Sequence, residues 1–412
     1  MSPELRRSLG VFDAVVIGLG AMVGAGIFVA LGPAAGAAGS GGGVLGALAV
    51  AAVVAYCNAM ASARLAARHP SSGGTYVYGR ERLGSFWGYL AGWAFVVGKT
   101  ASCAAMALTV GAYVWPGHAH TVAVAAVVAL TAVNYGGVQK SALLTRVIVA
   151  LVLAVLAAVC VVSLGTGGTV PLASGDELTA GGVLQAAGLL FFAFAGYARI
   201  ATLGEEVRDP ARTIPRAVPV ALGIALVVYV LVAVSVLTVL GPAALAASPV
   251  PLVDAARAAG AAWLVPVVTA GAAVAALGSL LSLILGVSRT TLAMARDGYL
   301  PTALAAVHPR FQVPHRAELA VGAVVAVVAA TADVRDAIGF SSFGVLVYYG
   351  IANASAWTLG GRARPLAALG LAGCGALAFA LPLGSVLAGA GVVAVGVVAW
   401  AVGRGRPVPP GA

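Results

Sequence analysis

The sequence predicts an all-α protein that crosses a membrane many times. Of its 412 residues, 61% are hydrophobic and only 9% are charged, and the mean hydropathy is +1.03. A typical soluble domain carries roughly 25% charged residues, and each helical crossing takes about 20 mostly apolar residues. The composition therefore excludes a soluble protein and leaves room for about twelve crossings.

Long apolar runs separated by short loops predict twelve membrane-spanning helices, which we number spans 1 to 12. Their predicted bounds are 12–34, 42–63, 86–114, 120–136, 144–165, 182–203, 217–240, 262–294, 317–332, 336–359, 365–381 and 383–402. Because the number is even, both ends of the chain are expected on the same side of the membrane.

Lysine and arginine predict which side that is, because they accumulate in cytoplasmic loops. Of the 23 such residues, only Arg257 and Arg335 fall in predicted outer loops, and Lys99 and Arg199 fall within spans. We therefore expect an integral, multi-pass protein of the cell (plasma) membrane, surrounded by lipid, with both termini and the tail at 403–412 in the cytoplasm. The net charge of +10 is spread over these short loops, so it does not indicate a nucleic-acid partner.

Glycine marks two spans as different from the rest. Span 1 has four glycines near its middle, at Gly18, Gly20, Gly24 and Gly26, and span 6 has a weaker version in Phe191–Tyr197. These spans hold the first and sixth places, which match in two successive groups of five. Interrupted helices at matching positions are typical of transporters built from inverted repeats, which hold their substrate at the breaks.

Five motifs extend this pattern, and they occur in order over about residues 8–310. They are Gly24–Phe28, Pro70–Tyr76, Asn134–Val138, Phe191–Tyr197 continuing through Glu205 to Pro215, and Arg289–Pro301. Together they resemble the amino acid–polyamine–organocation (APC) superfamily of permeases. The last two spans carry no such motif.

The resemblance implies a fold like that of the bacterial leucine transporter. The first five-helix repeat would occupy 1–165, the second, inverted repeat 182–359, and two additional helices 365–402. It also implies a secondary active amino acid transporter without a cofactor, in which unwound stretches of spans 1 and 6 hold the substrate. Proton symport and amino acid exchange both remain open.

The resemblance also assigns a site, residue by residue. Backbone N–H groups at Gly24, Ala25 and Gly26, flanked by Val23 and Ile27, would bind the substrate carboxylate. The carbonyl groups of Phe192, Ala193 and Ala195, next to Gly196 and Tyr197, would accept from its ammonium group, with the Phe192 ring as a lid. Ser279 in span 8 would line the site.

Lys99 departs from the family pattern. Some proton-coupled members carry a lysine in span 5, at a place that corresponds to about Val152 here, whereas this chain has Lys99 near the middle of span 3. A cation there costs at least about 2.5–3.5 kcal/mol on insertion scales. Carbonyl groups of the broken helices could satisfy it. Alternatively, it is a titrating amine that couples transport to protons or contacts a substrate carboxylate.

Arg199 lies close to the inner end of span 6. Its long side chain can reach the cytoplasmic face by itself. Alternatively, it forms a gate with Glu205 or Glu206. The acidic pair could equally hold the loop residues Arg208 and Arg212.

The substrate is expected to be a neutral amino acid. We expect no Asp or Glu within any span, so a side-chain cation would lack a carboxylate partner in dry surroundings. A cationic amino acid or polyamine antiporter is the alternative within the family, and a sensor that binds amino acids without moving them is a second.

An enzyme or a channel is not expected. All five histidines fall in loops, the four cysteines are far apart, and no metal-binding or nucleophile motif is present. We therefore expect no metal site. Rings of charge or a repeated filter sequence, as in channels, are also missing from the sequence.

Overall fold

The structure is a computed structural model that describes residues 9–69, 73–137, 142–169, 178–202, 206–361 and 363–403. Within these ranges the regular structure is helical, apart from an isolated β-bridge between Leu9 and Val207. The helices are α1 Val11–Met22, α2 Ala25–Val29, α3 Leu31–Ala38, α4 Gly41–Arg68, α5 Thr75–Leu83, α6 Ser85–Val114, α7 Ala119–Tyr135, α8 Ala142–Leu164, α9 Ala180–Phe194, α10 Ala198–Ala201, α11 Pro210–Ala247, α12 Pro251–Ala258, α13 Val265–Arg296, α14 His315–Thr331, α15 Val334–Trp357, α16 Arg364–Ala380 and α17 Leu383–Gly403.

Each of the twelve predicted spans coincides with helix. Ten helical stretches of the described residues are long and apolar enough to cross a membrane. The other two predicted spans, 9 and 11, are the helices α14 and α16, with 17 residues each. Two loop helices, α5 and α12, were not predicted, because they are short and only partly apolar.

Side-chain caps and glycine turns set the ends of several helices. The Ser40 hydroxyl accepts from the Gly43 N–H at 3.1 Å, and the Thr179 hydroxyl accepts from the Gly182 N–H at 3.1 Å. Gly39, which separates α3 from α4, has a φ of 72°, a conformation that costs glycine little. Such caps satisfy N–H groups that have no partner inside the helix.

Helix α6, which carries Lys99, packs against α7, α13 and α15. At its crossing with α15, a Cβ added to Gly98 would lie 3.2 Å from Gly344 Cα, and one added to Gly344 would lie 2.9 Å from Gly98 Cα. Small residues allow membrane helices to approach this closely. The two glycines therefore bring Lys99 within reach of spans 6 and 10.

The loop helix α5 joins two of the sequence motifs. The Tyr76 hydroxyl donates to the Asp297 carboxylate at the end of α13, and Arg80 pairs with the same carboxylate at 2.8 Å. Burial and then the hydrogen bond to Asp297 raise the pKa of the Tyr76 phenol, so this hydroxyl stays protonated as a donor. The Tyr348 hydroxyl of α15 also accepts from the Thr75 N–H at 2.9 Å. Helix α5 therefore ties spans 8 and 10 together at one end of the bundle.

Candidate functional site

Span 1 is broken at two residues. Helix α1 ends at Met22, Val23 has ψ of 50°, and Gly24 has ψ of −146°, after which α2 begins at Ala25. The break is narrower than the glycine run, because Gly18 and Gly20 remain helical. Ala30 has helical φ and ψ and connects α2 to α3. The N–H groups at the start of α2 therefore begin a helix that continues to Ala38, and the first of them have no partner within it.

Span 6 does not unwind as expected. Helix α9 tightens at Ala195–Tyr197 into a 3₁₀ turn and continues directly into α10. Its glycine serves a different purpose from those in span 1. A Cβ added to Gly196 would lie 2.3 Å from the Ala21 carbonyl oxygen, so Gly196 allows close packing on span 1 rather than unwinding.

The two spans touch through their backbones. A Cβ added to Gly26 would lie 2.7 Å from Ala193 Cα, and one added to Gly24 would lie 2.2 Å from the Ser279 hydroxyl oxygen. The Ser279 hydroxyl donates to the Gly20 carbonyl at 3.4 Å. Residues assigned to the site on spans 1, 6 and 8 therefore do meet at the break.

Tyr229 in α11 bridges the two spans. Its hydroxyl oxygen lies 2.6 Å from the Met22 carbonyl oxygen and 2.9 Å from the Ala193 carbonyl oxygen. A hydroxyl has one proton to donate, so the two carbonyl groups share it. Sequence reasoning did not find Tyr229. The available signal was a phenol in an apolar span, since a buried hydroxyl needs a partner.

Lys99 reaches the 3₁₀ turn of span 6. Its side-chain nitrogen donates to the Ala195 carbonyl at 3.4 Å, and the Tyr349 hydroxyl of α15 donates to the same oxygen at 3.1 Å. Lys99 is only 7% exposed, and it forms no ion pair within the described part of the chain. This carbonyl, which the resemblance assigned to the substrate ammonium, therefore already receives two donors from the protein.

The aromatic residues of span 6 are buried at the same place. Phe192 is 8% exposed. Tyr197 stacks on Tyr349, with ring centroids 5.0 Å apart and planes at 29°. Tyr349 therefore contacts both the backbone and a side chain of the turn.

The gate residues are not brought together. Arg199 is exposed and donates to the Thr202 hydroxyl at 3.4 Å, and it forms no ion pair with Glu206 among the described residues. Glu205 lies outside the described residues. Glu206 acts on Arg199 electrostatically, and its carbonyl group accepts from the Leu9 N–H at 3.1 Å. The gate remains a prediction.

The acidic pair was alternatively expected to hold Arg208 and Arg212. Among the described residues, Arg212 pairs with Asp209, at 3.6 Å. The Arg208 N–H donates to the Leu9 carbonyl at 2.9 Å. Together with the contact at Glu206, this places the start of the described chain against the loop that follows span 6.

One carboxylate lies deeper than the sequence suggested. Glu318, in the first turn of α14, is fully buried. The expectation of spans without Asp or Glu is wrong at the span ends, since Asp13, Glu318 and Asp336 lie within the predicted bounds, and it holds only for the middle of the spans. No group of three or more His, Cys, Asp or Glu side chains suited to a metal ion occurs in the described ranges.

With this geometry established, similarity to known proteins assigns the family. The sequence matches the amino acid permease family over residues 9–407. The chain belongs to that family. It is therefore an integral, multi-pass amino acid transporter rather than an enzyme.

Individual relatives agree with this assignment. An uncharacterized transporter of Mycobacterium tuberculosis strain H37Rv is 74% identical over 97% of this chain and 92% of its own length. The branched-chain amino acid permease BcaP of Bacillus subtilis is 27% identical over 76% of this chain and 72% of its own. Human cationic amino acid transporter 4 is 30% identical over 85% of this chain and 59% of its own.

A solved structure confirms the fold. The crystal structure of MhsT in complex with L-phenylalanine superposes with a TM-score of 0.65 at 16% identity, over 97% of this chain and 100% of that one. The chain therefore has a leucine-transporter-like fold, as the family resemblance implied.

Proposed function

We propose that the chain is a secondary active transporter of neutral amino acids. Alternating access takes place around the break of span 1 and the 3₁₀ turn of span 6, with proton symport or amino acid exchange as the driving process. The observation that carries the proposal is the contact between the start of α2 and the Ala193 backbone. Backbone N–H groups without a partner in their helix lie there next to carbonyl groups bridged by Tyr229. These groups can bind the carboxylate and the ammonium of an amino acid.

The substrate carboxylate binds at the start of α2. The N–H groups of Ala25, Gly26 and Ile27 begin a helix, where unpartnered donors and the helix dipole both favour an anion. Gly24 and Val23 provide the turn that leads into it.

The substrate ammonium binds the carbonyl groups opposite. Met22 and Ala193 carbonyl oxygens share one proton from Tyr229, and an ammonium brings three donors. It can therefore satisfy both oxygens and also the Phe192 carbonyl, while Ala195 stays with Lys99 and Tyr349. This assignment places the ammonium one turn away from the lysine.

Lys99 favours neutral over cationic substrates. The α-ammonium group is common to all amino acids, but a cationic side chain adds a second positive charge, and at about 6 Å from Lys99 and an effective dielectric constant of about 20 it is repelled by about 3 kcal/mol. Within the described residues no carboxylate pairs with Lys99, so its charge is not cancelled. The name of the Bacillus relative supports a neutral substrate, whereas that of the human relative favours the cationic alternative.

The proposal includes the repeat boundaries and the orientation expected from the sequence. The two repeats occupy 1–165 and 182–359, the additional helices 365–402, and the termini lie in the cytoplasm of a plasma-membrane protein. Whether Lys99 titrates during transport also belongs here. The contact of Lys99 with the Ala195 carbonyl supports a structural role at least as well as a titrating one.

Competition in proteoliposomes tests the proposal. The purified protein is first screened by thermal shift against the twenty amino acids and common polyamines, because a ligand that binds only the folded state raises its melting temperature. Counterflow of the best neutral ligand is then competed with arginine and putrescine. We expect neutral amino acids to compete better. A reversed order contradicts the neutral assignment, and binding without any flux identifies a sensor.

A further inference from the structure

Glu318 is a buried acid with no use in the substrate site. It lies in the first turn of α14 and is 0% exposed. Both carboxyl oxygens are buried, and neither has a hydrogen-bond partner among the described protein groups. An ionised carboxylate in that position is far more costly than a neutral acid. Burial without a partner therefore favours the protonated form of Glu318.

Helices α6, α7 and α13 and the 3₁₀ turn Thr302–Ala305 pack on α14. Their titratable side chains next to α14 include Cys103 of α6, in one apolar cluster with Val321 of α14, and Tyr135 of α7, which packs against His315 of α14. Arg289 is the charged residue that acts electrostatically on Glu318. Its side chain is exposed and forms no ion pair with any described residue.

Pairing with Arg289 would create a second state that differs from this one by one proton. With Arg289 exposed and unpaired, as here, burial favours the neutral acid at Glu318. An arginine keeps its charge at every accessible pH, so movement of its guanidinium group to the carboxyl group creates a charge-assisted pair that favours the ionised acid. The proton then leaves Glu318 for water, and it returns when the pair separates.

Helix α13 links this pair to the substrate site. Ser279, which contacts the break of span 1, lies on the same helix as Arg289, and ten residues of helix span about 15 Å. A shift of α13 at the break therefore moves Arg289 relative to Glu318. Arg289 also acts electrostatically on Arg199 of span 6.

We propose that Glu318 is a proton-binding site, separate from the substrate site, whose proton is released and rebound as α13 brings Arg289 to its carboxyl group and withdraws it. The coupling of this proton to transport rests on the proposed function. The binding of a proton by Glu318 does not depend on the proposed function.

Infrared spectroscopy of the purified full-length protein detects the proton directly. We expect the carbonyl stretching band of a protonated carboxylic acid in wild type and its loss in Glu318→Gln, a neutral variant of nearly the same shape. Asp336→Asn is the matched control, because Asp336 lies in the first turn of α15 but is exposed. Persistence of the band in Glu318→Gln overturns the site.

Transport in proteoliposomes tests the coupling. For the neutral amino acid that competes best, exchange at equal pH should continue in Glu318→Gln, while accumulation driven by a pH gradient should fall to the level without a gradient. Arg289→Gln should lose the gradient response in the same way while keeping the infrared band. Gradient-driven accumulation at the wild-type level in either variant contradicts the coupling. Absence of flux in wild type itself would instead contradict the proposed function.

Discussion

Spans 1 and 6 hold matching places in the two halves of the chain, but they depart from helix differently. Span 1 has a true break at Val23 and Gly24, whereas span 6 only tightens into a 3₁₀ turn over Ala195–Tyr197. The difference follows from their glycines. Span 1 has four near its middle, and the one glycine of the turn in span 6 is used for packing on Ala21.

The partners of the two regions differ as well. Carbonyl groups in span 6 receive donors from Lys99, Tyr349 and Tyr229, so the protein itself satisfies that side. The N–H groups at the start of α2 have no partner within their helix. The comparison indicates that span 1 depends on a ligand for its hydrogen bonds and that span 6 is held by side chains of neighbouring helices.

The largest effect is expected from Gly26→Val. Its Cβ would lie 2.7 Å from the Ala193 backbone, so spans 1 and 6 cannot keep their contact, and a β-branched side chain adds to the strain next to the break. We expect substrate binding, measured by thermal shift, to be abolished. Gly223→Val is the control, because nothing lies within 4 Å of a Cβ at that exposed position of α11. Undiminished uptake by Gly26→Val would disprove the assignment of the site.

A smaller effect, on selectivity, is expected from Lys99→Ala. Removing the charge removes about 3 kcal/mol of repulsion, so inhibition by arginine should strengthen by at least about tenfold, a change that corresponds to 1.4 kcal/mol. Stability should also decrease, because the Ala195 carbonyl keeps only Tyr349. Lys99→Arg retains the charge and should still exclude arginine.

The same two variants separate the roles considered for Lys99. For a titrating amine, Lys99→Ala removes most of the pH dependence of transport while exchange persists, and Lys99→Arg becomes insensitive to pH. For a structural lysine, the pH profile is unchanged in both. An unchanged profile together with unchanged arginine inhibition in Lys99→Ala would show that the charge does not face the substrate.

The smallest effect is expected from Tyr229→Phe. In the substrate-free protein the Tyr229 hydroxyl hydrogen-bonds to the Met22 and Ala193 carbonyl groups, and the substrate ammonium replaces it on binding. Its removal should therefore cost the substrate-free protein about 1 kcal/mol of stability. Because the ammonium no longer has to displace the hydroxyl, substrate affinity should rise about fivefold. Tyr89→Phe is the matched control, since Tyr89 donates to the Gly396 carbonyl at 3.0 Å, away from the break. Equal changes of affinity in both variants would refute the special role of Tyr229.

Periodicity and glycine placement predicted the helices and the interrupted first span, and the family resemblance implied the leucine-transporter-like fold. They could not predict which glycine begins the break. Gly18 and Gly20 stay helical because they pack against other spans, and the sequence of span 1 does not show that packing. The sequence patterns missed Tyr229 and the two protein donors to the Ala195 carbonyl, since both depend on contacts between residues far apart in the sequence. Glu318 was overlooked because a position near a helix end does not reveal its burial.

Lys99 has a consequence for the synthesis of the protein. Span 3 is made and inserted before Ala195 of span 6 exists, and the Tyr349 that completes the cluster comes later still. During that interval the lysine lies in an apolar helix without the carbonyl group that accepts from it, at a cost of at least about 2.5–3.5 kcal/mol. Only when span 10 arrives can Gly344 close against Gly98. Until then Lys99 lacks its partner in the nascent first half, and the second half supplies it.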